Sequence, residues 1–197
     1  MKKIICLAAL CISNAAYAST NGFFIKPYIG ADYQYASFDY QDDPTIGLNG
    51  SDLAEDSLNG GDIHIGARVH NNLGFELSYL QTEQGKKSNI LGTGINSKVE
   101  FKGFTLDAMG YLPIDEAKRF ELIATAGVSR LRGKVSFDGA ATDTEKETET
   151  KGRFGGGAQY WITENVNVRA LVRYQDADFD DSVNHAVLST IGINWQF

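Results

Sequence analysis

Counting back from Phe197, the residues Trp195, Ile193, Ile191, Ser189 and Val187 alternate with Gln196, Asn194, Gly192 and Thr190. Successive side chains of a strand point to opposite faces, so one face of this segment is apolar and the other small or polar, up to the last residue. An ordinary final strand of a soluble sandwich shares that pattern. A strand ending on a bare aromatic edge invites aggregation, however, whereas a cylinder whose last strand pairs with its first has no edge.

Seven further segments carry the same period. The first, from about Phe24 to Tyr35, sets Ile25, Ile29, Ala31, Tyr33 and Tyr35 against Lys26, Tyr28, Gly30, Asp32 and Gln34, with Pro27 near its start, where proline is tolerated. Ile63, Ile65, Ala67 and Val69 then alternate with Asp62, His64, Gly66, Arg68 and His70; Asn71-Asn72 follows as a tight turn into Leu73, Phe75, Leu77 and Tyr79. Asparagine accepts the left-handed conformations such turns need, so this hairpin is the most sharply specified local structure of the chain. The fourth segment places Phe104, Leu106, Ala108, Gly110 and Leu112 outside, and Thr105, Asp107, Met109 and Tyr111 inside. In the fifth, Phe120, Leu122, Ala124, Ala126 and Val128 oppose Glu121, Thr125 and Ser129, with Arg130 at the water boundary. The sixth shows Phe154, Gly156, Ala158, Tyr160 and Ile162 outside, and the seventh Val166, Val168, Ala170, Val172 and Tyr174, opposite Asn167, Arg169, Leu171, Arg173 and Gln175.

Outer faces of this length match strands of roughly ten residues, enough for a tilted strand to cross a membrane. No charge falls in the central part of any outer face, and a basic residue at the lipid midplane costs about 2 to 4 kcal/mol. The expected fold is all-β, an eight-stranded antiparallel transmembrane β-barrel. Connections alternate in length: Asn71-Asn72, Pro113 to Lys118 and Thr163 to Asn165 are short, whereas Ala36 to Gly61, Gln81 to Lys98, Gly133 to Lys151 and Asp176 to Asn184 are long. Short turns face the periplasm in such barrels, which puts both termini there. Tyr35, Tyr79, Phe104, Phe154 and Tyr174 then fall near the outer rim, and Phe120, Tyr160, Trp195 and Phe197 near the inner one, as two aromatic girdles would.

The N-terminus changes the picture of the mature chain. Lys2-Lys3, the apolar run Ile4 to Ile12 and Ala16-Tyr17-Ala18 read as a secretory signal cleaved after Ala18, leaving the barrel domain at residues 19–197. Leu10 before Cys11 and Ile5 before Cys6 do not fit a lipoprotein site, and both cysteines leave with the signal, which suits an oxidising periplasm. Removing residues 1–18 takes away two lysines and no acids, leaving 16 basic against 25 acidic residues and a formal charge of −9, so a nucleic-acid partner is disfavoured. The 43% hydrophobic content would suit a soluble protein, but alternating strands never produce a long apolar window. The 21 glycines, 20 Phe plus Tyr and three prolines favour many short strands.

The inward positions gather Lys26, Asp32, Asp62, His64, Arg68, His70, Glu76, Asp107, Glu121, Arg153, Arg169 and Arg173. An eight-stranded barrel is just wide enough for side chains to fill it, so these charges must pair with one another or with trapped water. An ion-pair network over Lys26, Arg68, Glu76, Asp107, Glu121, Arg153, Arg169 and Arg173 is expected. It serves either as a polar plug or as the lining of a narrow pore for small solutes. Catalysis finds no support: a hydrolase working on lipid A resembles a His-x-Ser pairing, and His64, His70 and His185 each lack a serine two residues on. Gly85-Lys86-Lys87-Ser88 lacks the upstream glycine of a phosphate loop. The long connections are acidic, with Asp39, Asp42, Asp43, Asp52, Glu55 and Asp56 in the first and Asp138, Asp143, Glu145, Glu147 and Glu149 in the third. Asp176, Asp178 and Asp180 lack the glycine and terminal glutamate of a calcium loop, so solvated charge explains them, and no metal or cofactor is expected.

Ile191, Ile193, Trp195 and Phe197 resemble the C-terminal assembly signal of Gram-negative outer-membrane proteins, although Ile191 stands before Gly192 where that pattern commonly has a polar residue. With Gly110-Tyr111-Leu112-Pro113, Phe120 to Gly127 and Val168 to Gln175, nearly the whole mature chain resembles the small eight-stranded barrels of the OmpA transmembrane, OmpX/Ail and opacity type. The resemblance implies an outer-membrane surface protein acting through its loops in adhesion, host interaction or envelope integrity. The partners it implies are outer-membrane lipids and lipopolysaccharide, the barrel-assembly machinery, and a host or surface ligand at the loops.

Overall fold

The computed structural model describes residues 23–40, 57–87, 96–138, 143–179 and 183–197. The strands are β1 (Lys26–Tyr40), β2 (Ser57–His70), β3 (Leu73–Thr82), a three-residue β4 (Gly85–Lys87), β5 (Asn96–Pro113), β6 (Phe120–Asp138), β7 (Asp143–Trp161), β8 (Val166–Phe179) and β9 (Val183–Gln196). Each pairs antiparallel with its neighbour, β9 pairs with β1, and β3 pairs with β5, which closes the wall. Strand β4 carries on the edge that β3 leaves, opposite Ser97 to Val99, so the barrel has eight staves. Among the described residues there is no helix.

The alternation lands as expected. On β9, Ile191, Ile193 and Trp195 are 62, 52 and 53% exposed, while Asn194 and Gln196 are buried. The Phe197 N–H donates to the Pro27 carbonyl at 3.0 Å, pinning the last residue to the first strand. At one end of the barrel the rim pairs Tyr79 with Phe104 and Phe154 with Tyr174, their ring centres 5.1 and 5.3 Å apart. At the other, Phe120 lies opposite Tyr160.

Connections are shorter than expected. The expected loop from Gly133 to Lys151 is instead mostly ladder, with β6 and β7 paired out to Phe137 and Asp143. Strand β1 likewise continues past Ala36, β2 begins at Ser57, and β8 and β9 reach Phe179 and Val183. Beyond the lipid both faces of a strand meet water, so a run such as Thr148-Glu149-Thr150 loses the amphipathic period while keeping its ladder hydrogen bonds. The signal segment with Cys6 and Cys11 lies outside the described residues, as do Asp42, Asp43, Asp52, Glu55, Asp56, Ser88 and Asp180.

The turns at the other end are built from side chains. Asn71-Asn72 joins β2 to β3, and Thr163 Oγ1 accepts from the Asn165 and Val166 N–H groups at 3.3 and 3.0 Å. Asp115 accepts from the N–H groups of Phe120 (2.8 Å) and Arg119 (3.1 Å), which lets Lys118 sit at φ 52°. The Phe120 N–H, then that of Arg119, holds the Asp115 carboxyl below its usual range. A depressed carboxyl stabilises the fold above its unfolded pKa, and that contribution fades as pH falls through the folded value. Asp115→Ala is therefore less stable than wild type at neutral pH, and urea titrations of the two converge once the pH falls below the usual carboxylate range.

Candidate functional site

Inward residues of eight strands meet in the lumen, and the charged ones form three levels. Nearest the short turns, Arg68 on β2 donates to Glu121 on β6 through Nη2 (2.6 Å) and Nη1 (3.1 Å). Its guanidinium carbon lies 4.2 Å from the Tyr111 ring centre. Gln159 Nε2 and Trp161 Nε1 also donate to Glu121, at 2.5 and 3.0 Å.

At mid-height Arg169 on β8 reaches across the lumen to β1 and β3. Its Nη2 donates to Asp32 Oδ2 at 2.6 Å and its Nη1 to Glu76 Oε2 at 2.5 Å. Tyr28 donates its hydroxyl to Glu76 at 3.0 Å, and Arg173 stands 3.7 Å from the same carboxylate. His64 joins this level, with Nδ1 at 3.0 Å from Asp62 and Nε2 at 2.5 Å from Asn194 Oδ1, while Asn194 donates to Asn167 at 2.9 Å. Toward the long hairpins, Arg153 on β7 grips Asp107 on β5 through Nε (2.8 Å) and Nη2, and donates to Thr105 at 2.8 Å. All these charged groups are buried, and such groups are tolerated only when paired.

Packed among the levels is an apolar cluster of Met109, Tyr111, Ile123 and Leu171. Between the lower and middle levels lies a small cavity of about 10 Å³ bordered by Tyr28, Arg68, Tyr111 and Arg169, at the lower limit of what one water needs, about 10 to 15 Å³. Below Arg68 and Glu121 the barrel opens into a mouth of about 890 Å³.

Seven of the eight residues expected in the network lie in these levels; Lys26 does not. It stands exposed at the mouth with its ammonium 5.3 Å from the Phe24 ring centre. His70 is a second departure. The β2–β3 register shifts between Arg68 and His70, and beyond this bulge His70 is only half-buried, its ring 5.8 Å from that of Phe23. Sequence reasoning did not single out Gln159, Trp161, Asn167 or Asn194 as partners, although the inward phase of their strands marks each of them.

Asp32, Asp62 and His64 each present a ligand atom within 4.8 Å of the others, a spacing able to hold a metal ion. Arg169 already supplies Asp32 with a cation at hydrogen-bond distance, so the trio has a charge partner within the protein.

The outer membrane protein beta-barrel domain family matches residues 4–197. A search of curated proteins finds no match. Among solved structures, Neisserial surface protein A is 19% identical with a TM-score of 0.60, over 87% of this chain and 97% of that one. The attachment invasion locus protein Ail of Yersinia pestis, solved with the heparin analogue sucrose octasulfate, is 18% identical with a TM-score of 0.59, over 88 and 99%. OprG of Pseudomonas aeruginosa is 14% identical with a TM-score of 0.55, over 87 and 95%. The shared fold, the lipid-ready outer faces and the family match over nearly the whole sequence place this chain in the outer membrane, as a member of the outer membrane protein beta-barrel domain family.

Proposed function

We propose that the chain, once residues 1–18 are removed, is a surface barrel whose termini and short turns face the periplasm and whose long acidic hairpins act outside the cell, in adhesion, host interaction or envelope integrity. Its interior is a plug, and it catalyses no reaction. The observation that carries the plug is Arg169, which spans the lumen to Asp32 and Glu76 above a void of about 10 Å³. Alternating short turns and long hairpins support the orientation. Ile191, Ile193, Trp195 and Phe197, the last tied to Pro27, are the residues that the assembly machinery would read. Ail is named for attachment, which agrees with an adhesive role. Its polysulfated ligand is not carried over, because Glu145, Glu147 and Glu149 make the β6–β7 hairpin acidic.

Planar-bilayer recording of the refolded chain tests the plug. No steady single-channel steps are expected. Steps that vanish when Arg169 or Glu121 is neutralised would instead make the lumen a narrow channel for small solutes lined by these charges.

A further inference from the structure

The outward face of β5, β6 and β7 can be followed rung by rung. From the short-turn end the rungs are Leu112/Leu122/Ala158, Gly110/Ala124/Gly156, Ala108/Ala126/Phe154 and Leu106/Val128/Gly152. The next is Phe104/Arg130/Thr150, followed by Lys102/Arg132/Thr148. On β5 and β6 the rung after that is Glu100/Lys134. Along β5, Leu112 to Phe104 spans about 27 Å of strand, or about 20 Å of barrel axis at the usual tilt, close to the apolar band of about 25 Å. The change from apolar to basic therefore falls where hydrocarbon gives way to headgroups.

Lys102, Arg130, Arg132 and Lys134 oppose one acid, Glu100, which Lys102 engages at 3.3 Å. Arg130 and Arg132 are exposed, and Arg132 donates to Thr148 Oγ1 at 3.4 Å. Among the described residues Arg130 and Lys134 have no acidic partner within ion-pair distance. On the other strands the described outward residues toward this end include Tyr35, Ser37, Asn59, Gln81, Tyr174 and Ser189, none of them basic. Among the described side chains, the outward lysines and arginines at this rim thus all sit on β5 and β6, in a chain of formal charge −7. Solvation alone gives no reason for such segregation. A guanidinium at headgroup depth, aimed away from the barrel axis, matches a phosphate in geometry and charge.

We propose that the face of β5 and β6 just beyond Phe104 binds the phosphate groups of a lipid in the surrounding leaflet. On the orientation proposed above, that lipid is lipopolysaccharide. The orientation decides which leaflet supplies the phosphate; the face itself is set by the ladder.

The test refolds the full mature chain into phosphatidylcholine vesicles containing either bisphosphorylated or dephosphorylated lipid A, and counts by native mass spectrometry the lipid A retained after extraction. Wild type should retain the phosphorylated form about tenfold better, since each basic residue near a charged surface is worth about 1 kcal/mol. Arg130→Gln with Arg132→Gln should abolish the preference, and Lys118→Gln with Arg119→Gln at the opposite end should keep it. Equal loss in the two variants, or a preference unchanged in the first, overturns the proposal. If the first variant does not fold, equal retention of the two lipids by wild type overturns it, and a preference upholds it. A Thr148→Cys protein that stays unlabelled by an impermeant thiol reagent on intact cells would contradict the orientation and leave this vesicle result untouched.

Discussion

Arg169→Leu lowers the unfolding free energy of the refolded barrel by about 3 to 5 kcal/mol, the cost of stripping one partner from a buried ion pair. Asp32 and Glu76 are almost wholly buried, and Arg169 reaches each of them through more than one N–H. Without it Glu76 keeps the Tyr28 hydroxyl and a more distant Arg173, while Asp32 loses its cation. Urea titration followed by heat-modifiable mobility measures the loss. Asp32→Asn with Glu76→Gln in the Arg169→Leu background should recover a large part of it, because the penalty lies in the orphaned carboxylates rather than in the missing arginine. A loss below about 1 kcal/mol, typical of solvated pairs, would mean that water runs through the lumen, and the plug would give way to a pore.

Ala126→Arg destabilises the barrel by about 2 to 4 kcal/mol, whereas Thr150→Arg costs at most about 1 kcal/mol. Both positions face outward. Ala126 lies midway along the outward apolar run of β6, between Leu122 and Arg130, and Thr150 pairs with the native Arg130 where that run has ended. The same urea titration in lipid vesicles reads the difference. Equal costs would show that depth is irrelevant on this face, which no lipid-embedded wall allows.

The strand faces were legible because lipid on one side and a polar lumen on the other impose a period of two that few other environments impose so strictly. Ile191 to Trp195 on β9 and Phe104 to Leu112 on β5 show it best. Where both sides are wet the signal disappears, so β6 was expected to end at Arg132 and β7 to begin at Gly152, yet β6 runs to Asp138 and β7 starts at Asp143. Membership of the lumen was likewise readable from phase, except at Lys26, which stands exposed at the mouth, and at His70, where a bulge follows Arg68.

Partnership within the lumen was not legible. Arg169 meets residues 137 and 93 positions away in the chain. Which inward residues share a level depends on the stagger between strands as the cylinder closes, and no local pattern encodes that. The basic face on β5 and β6 was hidden for the same reason: Lys102 and Arg132 become neighbours only through the ladder register.

The most direct test of a lipid-facing wall around a filled interior uses the chain's two tryptophans. Trp195 faces outward, 53% exposed, while the indole of Trp161 turns inward to donate to Glu121. In vesicles of lipids brominated along their acyl chains, the Trp161→Phe protein, whose emission comes from Trp195, should be strongly quenched. The Trp195→Phe protein, emitting from Trp161, should be quenched little. Equal quenching of the two, or no quenching of Trp195, would contradict the account.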